Sequence, residues 1–426
     1  MNPHESEMTT THYDTLESRS TDRREAALMA ALPQQIAHAQ THTTAFSSIL
    51  GGVDAVAVDS RAALARLPVT RKHELLERQL AERDAGGVNT FGGFSALTYG
   101  AGMPQVFASP GSIYEPGGTR KDYWRMARAM FAAGFRSGQL IHNCFSYHFV
   151  PAGSMMETGA HALGCTVFPG GTGQTEQQVQ AMVELRPAGY IGTPSFLKII
   201  VDKAAEMKVL LPTVTRALVS GEAFPPSLRD WLAERGISAY QCYASADLGL
   251  IAYETAAREG LVLDEGVIVE IVRPGTGDPV AEGEVGELVV TTLNPDYPLI
   301  RFGTGDLSAV LPGACPTGRT NTRIKGWMGR ADQTIKIRGM FVHPRQVAAI
   351  ARRFPEVLKV RLVVSGEMAK DSMHFRVETS SAIAGLVQRI SDAIRDVTKL
   401  RGTVELLEPG SLPNDGKVIE DARSYK

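Results

Sequence analysis

Across residues 121–225 the chain repeats one rhythm, a short apolar run followed by a stretch of helical length. Residues 139–143, 166–168, 189–192 and 216–219 read as strands. Residues 123–134, 155–163, 175–185, 194–206 and 226–234 read as the helices between and after them. Strands alternating with helices in this way predict a parallel sheet covered on both faces. In such sheets a ligand sits beyond the carboxyl ends of the strands, so the chemistry belongs in the loops that leave them.

The flanking regions have a different texture. Residues 20–43 place Ala26, Leu28, Met29, Leu32 and Ile36 at helical spacing, with a kink or interruption expected at Pro33. Residues 72–80 predict a helix capped near Thr70, and the glycine-rich stretch 84–104 a loop. After Glu254 the β-branched runs 267–272 and 286–292, bounded by Gly, Pro and Asp, predict an antiparallel or barrel-like unit. After Arg330 the pattern shifts again, to strands 333–337, 357–365, 372–378 and 402–407 with helices 344–353 and 383–400. A chain of 426 residues exceeds one ordinary core. The expected fold class is therefore α/β, with a large N-terminal domain (1–330) and a small α+β C-terminal domain (331–426).

Bulk properties remove several partners. A net charge of −2 with no basic stripe argues against nucleic acid. No apolar run approaches the roughly 20 residues that cross a bilayer, which argues against a membrane. The polar start, with Glu5 and Glu7, lacks the pattern of a signal peptide. Cys144, Cys165, Cys242 and Cys315 form no metal-like spacing and read as reduced thiols, so a cytoplasmic protein is expected.

Two segments carry the strongest chemical signal. Gly303-Thr304-Gly305-Asp306 closes a strand with a tight turn that holds a carboxylate. Such a carboxylate can accept two hydrogen bonds from a vicinal diol, as nucleotide sites do with ribose. Alone, Asp306 reads as an ordinary turn residue. Further on comes Gly329-Arg330-Ala331-Asp332-Gln333-Thr334-Ile335-Lys336. Together, in this order, the two segments resemble the adenylate-forming superfamily of acyl-CoA synthetases, adenylation domains and luciferases. The resemblance implies Asp306 on the ATP ribose, Arg330 on ribose or phosphate, and Asp332 as the hinge of a mobile C-terminal domain.

A narrower resemblance, to the phenylacetate–CoA ligases, covers nearly the whole chain. It runs from Leu67-Pro68-Val69-Thr70-Arg71-Lys72 through Gly192-Thr193-Pro194-Ser195-Phe196 to the tail Asn414-Asp415-Gly416-Lys417. It implies that Lys417 is the catalytic lysine, neutralising charge as pyrophosphate leaves. Tyr243-Ala244-Ser245-Ala246-Asp247 occupies the place of the family's Tyr-Gly-x-Ser/Thr-Glu motif. By resemblance Tyr243 and Ala244 lie by the adenine or acyl group, and Asp247, one methylene shorter than the family's Glu, holds Mg²⁺. Gly221, Glu222 and Ala223 follow a strand of the parallel sheet and by resemblance lie against the adenine.

One motif departs. Where the family carries Ser-Ser-Gly-Thr-Thr-Gly-Lys-Pro, this chain has Ala108-Ser109-Pro110-Gly111-Ser112-Ile113-Tyr114-Glu115-Pro116. Ser109, Gly111 and Ser112 remain as ATP-binding candidates, but the lysine has become Glu115. A glutamate facing a triphosphate repels it unless a cation intervenes. Either the loop grips phosphate weakly while Lys417, Arg330 and Mg²⁺ suffice, or an acyl-adenylate pocket persists without efficient use of ATP. Retention of Asp306, Arg330, Asp332 and Lys417 favours the first.

Phe145, Tyr147 and Phe149 resemble the aromatic stretch of the family's aryl pocket, with Gly192 and Tyr243 beside them. Their alternation equally suits a strand face packed on core. Lys336, Arg338 and Gly339 would line a channel for coenzyme A. The resemblance thus implies ATP, Mg²⁺ and coenzyme A acting on an aryl carboxylic acid, in a homodimer. Two other outcomes stay open: an acyl-adenylate or acyl-CoA binding protein without catalysis, and transfer of the acyl group to a carrier protein or an amine.

Overall fold

The computed structural model describes residues 11–109, 112–331, 333–338, 340–366, 371–380, 384–413 and 417–423, the side chain of Arg345 excepted. The chain divides into two compact units, one of Met1–Phe224 and Leu228–Met328, the other of Gly329–Lys426 with Pro225–Ser227.

The first unit opens with helix α1 (Thr21–His42), which runs unbroken through Pro33 rather than stopping there. Its buried face, Leu28, Leu32, Ile36 and Ala39, explains the outcome. Proline inside a helix costs about 3 kcal/mol, whereas each buried aliphatic side chain contributes about 1.5–3 kcal/mol. Strand β1 (Thr70–Arg71) leads directly into helix α2 (Lys72–Asp84). The cap is Arg71, one residue later than expected, its backbone N–H held by the Glu74 carboxylate at 3.3 Å.

Strands β2 (Gln105–Ser109) and β3 (Ile113–Gly117) form a hairpin in register Ser109 to Ile113. Gln79 of α2 clamps it, accepting from the Tyr114 N–H at 2.8 Å and donating to the Tyr114 carbonyl at 2.9 Å.

The predicted alternation then unfolds as a sheet. Strands β4 (Leu140–Asn143), β5 (Thr166–Phe168), β6 (Gly189–Gly192), β7 (Arg216–Val219) and β8 (Ser238–Ser245) lie parallel in the order β5-β4-β6-β7-β8. The helix expected over 123–134 is shorter, Ala127–Ala132, because Asp122 and Arg125 adopt positive φ and turn the chain. The Asp122 carboxylate then accepts the Met126 and Ala127 N–H groups at 2.7 and 3.0 Å.

Beyond β8 the sheet turns antiparallel through β9 (Gly249–Glu254) and β10 (Leu261–Leu263). Of the two expected forms, antiparallel or barrel-like, the chain adopts an open, largely antiparallel sheet. Strands β11 (Val267–Val272), β12 (Gly286–Thr292) and β13 (Phe302–Ser308) pair antiparallel, and β1 adds parallel to β13. Its order, β1-β13-β12-β11, leaves β1 and β11 as edges. Four strands, one of them two residues long, cannot close around a filled interior. Strands β14 (Val310–Leu311) and β15 (Arg323–Ile324) complete the edge of the nine-stranded sheet.

In the second unit, hairpin β16 (Ile335–Ile337) and β17 (Met340–Val342) precedes a four-stranded sheet. That sheet comprises β18 (Val357–Ser365), β19 (Ser372–Thr379), β20 (Thr403–Leu407) and β21 (Ile419–Asp421). The amphipathic helix Leu386–Thr398 buries Leu386, Ile390, Ala393 and Ile394 in a core with Leu362, Val364 and Phe375.

Candidate active site

Most of the candidate residues of the first unit leave the carboxyl ends of neighbouring parallel strands. Phe145 follows β4, Gly192 ends β6, Gly221 follows β7, and Tyr243 to Asp247 end and follow β8. Backbone and side-chain bonds lace these loops together: the Ser220 N–H donates to the Gly192 carbonyl at 3.2 Å, and Ser220 Oγ donates to the Cys242 carbonyl at 2.7 Å. Gly221 has φ of +84°, and a Cβ there would meet Phe145 and Thr193 at 3.7 and 3.8 Å. Glu222 accepts from the Ser195 N–H at 2.6 Å, satisfying a free amide in the first turn of helix α3 (Pro194–Glu206). Ala223 is half-buried beside it in sequence.

Tyr243 and Asp306 come together from two different sheets. The Tyr243 hydroxyl donates to Asp306 Oδ2 at 2.6 Å, and Trp327 Nε1 donates to Oδ1 at 3.1 Å. The Asp306 N–H is held by Thr304 Oγ1 at 3.1 Å. Ala244, next on β8, sits at a register shift between β8 and β9 and packs on a core that includes Trp124, Met130, Ile141 and Leu218.

The altered loop has a different electrostatic setting from the one expected. Glu115 does not project into solvent: it is 2% exposed and accepts from Ser109 Oγ at 2.7 Å and from Lys72 Nζ at 3.2 Å. The same ammonium donates to Asp247 Oδ2 at 2.7 Å. Burial pushes the Glu115 carboxyl up to about 8, with Lys72 pulling against it and Asp247 reinforcing it. The two carboxylates hold the Lys72 ammonium above its ordinary range against the opposing effect of burial. Glu115 Oε2, Asp247 Oδ1 and the Tyr297 hydroxyl are buried and have no hydrogen-bond partner among the described residues. Ser112 lies exposed in the hairpin turn with φ of +59°, and Gly111 falls outside the described residues.

The three aromatic candidates do not share one strand face, because β4 ends at Asn143 and they follow in a loop. Phe145 is buried in the same core as Trp124, Met130, Ile141 and Leu218. The Tyr147 hydroxyl accepts from Asn143 Nδ2 at 2.8 Å. Phe149 stands apart at 81% exposed, with φ of +61°. Gly192 has a local reason to be glycine: a Cβ would run into the fully buried Tyr190 ring, whose hydroxyl donates to the Thr193 carbonyl at 3.0 Å.

Arg330, Lys336, Arg338 and Lys417 belong to the second unit, while Asp332 and Gly339 fall outside the described residues. Arg338 binds the Asp371 backbone carbonyl through its guanidinium at 2.8 and 3.1 Å. Lys417 is exposed, just ahead of β21. Gln333 Oε1 accepts from the Val418 and Ile419 N–H groups at 2.8 and 3.3 Å, fixing the chain beside that lysine. The sequence motifs include Lys72 and Gln333 without assigning either a function, and Trp327 lies outside them. A lysine opening a helix and a tryptophan near a turn carry no local signal of what they touch.

Comparison with known proteins identifies the family and the fold. Residues 121–294 match the family model described as AMP-binding enzyme. The phenylacetate-coenzyme A ligase of Thermus thermophilus is 30% identical, over 85% of this chain and 87% of that protein. The enzyme of the same name from Aromatoleum evansii is 29% identical, over 85% and 83%. Among solved structures, a 2-hydroxyisobutyryl-CoA ligase in complex with 2-HIB-AMP and CoA superposes with a TM-score of 0.82 at 24% identity, covering 99% of this chain and 94% of that one. This last likeness establishes the fold. The chain belongs to the phenylacetate-coenzyme A ligase family, whose members are AMP-binding acid–thiol ligases.

Proposed function

We propose that this protein activates an arylacetic-type carboxylic acid with ATP and transfers the acyl group to coenzyme A. The observation that carries the reading is the meeting of Tyr243 with Asp306 at the rim formed by the loops after β4, β6, β7 and β8. A carboxylate already oriented by two donors is prepared to exchange them for the two hydroxyls of a ribose. Gly221 and Ala223 leave room for an adenine against backbone, and Phe145 offers an apolar face for an aryl ring.

In the first step the carboxylate of the acid attacks the α-phosphorus of ATP and the bond to pyrophosphate breaks. Lys417 neutralises the charge that develops there, with Arg330 on ribose or phosphate. Asp247 fits a Mg²⁺ ion, since it is a hard oxygen donor with one buried oxygen left without a partner. Bound there, the ion would supply charge neutralisation to the phosphates. In the second step the coenzyme A thiol attacks the acyl-adenylate and AMP leaves, after the C-terminal domain (331–426) turns about Asp332. Lys336, Arg338 and Gly339 then guide the pantetheine. The family resemblance supports this two-state scheme.

Exchange of labelled pyrophosphate into ATP tests the first half. The exchange should require the presence of an arylacetic acid. Exchange with no acid present, or none with any aryl acid, would overturn the proposal.

A further inference from the structure

The chain has lost the lysine of the family's phosphate loop and gained an acid in its place, yet the acid is folded inward against Asp247. Two carboxyl groups, Glu115 at 2% and Asp247 at 7% exposure, share a single ammonium. Among the described residues each leaves one buried oxygen unpartnered, and the buried Tyr297 hydroxyl adds a third such oxygen. Burying a polar oxygen without a partner is costly, so two such carboxylate oxygens and a phenol oxygen point to an occupant. The Lys72 ammonium, 3.2 Å from Glu115 and 2.7 Å from Asp247, brings the two carboxyls side by side, and their charges add to the effect of burial in raising the Tyr297 hydroxyl. All three orphans are oxygens, the donor type that magnesium and manganese prefer. The Lys72 side chain that bridges the two carboxyls is 37% exposed.

We propose that Glu115 and Asp247 together form a divalent-cation site in which the Lys72 ammonium is the resident counter-ion until the metal arrives. This rests on the reading of Asp247 as the magnesium-holding residue and adds Glu115 to it. The exchange also resolves the electrostatic conflict of the altered loop. A divalent ion takes over the carboxylates, and Lys72 is released as a positive charge next to the loop that lost its own lysine.

The test is binding of Mn²⁺ alone to the full chain without nucleotide, followed through the electron paramagnetic resonance of free Mn²⁺. Wild type should bind one ion, displaceable by Mg²⁺. Glu115→Gln and Asp247→Asn should each weaken binding about tenfold or more. Lys72→Met should tighten it, because a competing cation is gone. Circular dichroism confirms that each variant is folded. Absence of binding to wild type, or equal binding by Glu115→Gln, would overturn the proposal. Weaker binding by Lys72→Met would overturn the exchange, and a carboxyl pair satisfied by a shared proton would produce no bound ion. Acid-dependent pyrophosphate exchange, which reads none of these outcomes, judges the ligase proposal separately.

Discussion

The Tyr243 hydroxyl lies 2.6 Å from Asp306 Oδ2, joining the last parallel strand of the large sheet to β13 of the open sheet. Trp327 Nε1 holds the other carboxylate oxygen at 3.1 Å. The carboxylate is therefore oriented before any nucleotide arrives, which lowers the ordering cost of binding.

Replacing that carboxylate should act on ATP alone. Hydrogen bonds to a charged group contribute about 1.5–3 kcal/mol, so Asp306→Ala should raise the ATP requirement of pyrophosphate release about tenfold to a hundredfold. The requirement for the acid should stay put. Tyr243→Phe should have the smaller effect on ATP, because Trp327 still orients the carboxylate. An unchanged ATP titration for Asp306→Ala would remove it from the ribose.

The two half-reactions should separate at Lys417. Lys417→Ala should abolish adenylate formation and largely spare thioester formation from preformed acyl-AMP. Gln333→Ala should slow adenylation more mildly, by about tenfold, since it removes two backbone anchors beside that lysine. Equal loss of both half-reactions in Lys417→Ala would sink the assignment.

Gly192 tests packing instead of chemistry. Gly192→Ala should destabilise the fold by about 1–3 kcal/mol, because the new methyl group meets the immobile Tyr190 ring. Adding Tyr190→Phe should recover part of that loss by removing the nearest atom. Urea unfolding of the single and double variants reads both effects, and an unshifted midpoint for Gly192→Ala would refute the packing account.

Arg301 anchors the strand that carries Asp306. It is 2% exposed and binds Glu270 through two nitrogens at 3.0 and 3.1 Å. It also reaches the carbonyls of Ala65, Leu67 and Gly277. Arg301→Ala leaves a buried Glu270 without its cation and should cost about 3–5 kcal/mol in urea unfolding. A loss below about 1 kcal/mol would show that the pair is dispensable.

The parallel sheet was legible because burial on both faces writes strands as short apolar runs, and β4 to β7 fall where those runs are. Helix α1 crossed Pro33 because its apolar face outweighs one missing hydrogen bond, a balance that local rules do not weigh. The antiparallel strands β11 to β13 were legible but the openness of their sheet was not, because β-branched runs specify strands and not their closure. Tyr243, Asp247 and Asp306 could be singled out from their motifs. The inward turn of Glu115 could not: its partners Lys72 and Asp247 are remote in sequence, and only the folded chain brings them together. Phe149 shared an alternation with Phe145 that a loop, having no fixed period, did not preserve.

The most direct test of the central claim is pyrophosphate release from ATP and Mg²⁺ across a panel of aryl acids, with and without coenzyme A. The account predicts release that depends on a particular arylacetic acid, with AMP and the matching thioester appearing in equal amounts once coenzyme A is added. Silence across the panel from folded protein would contradict it, and would mean that the altered loop no longer handles ATP.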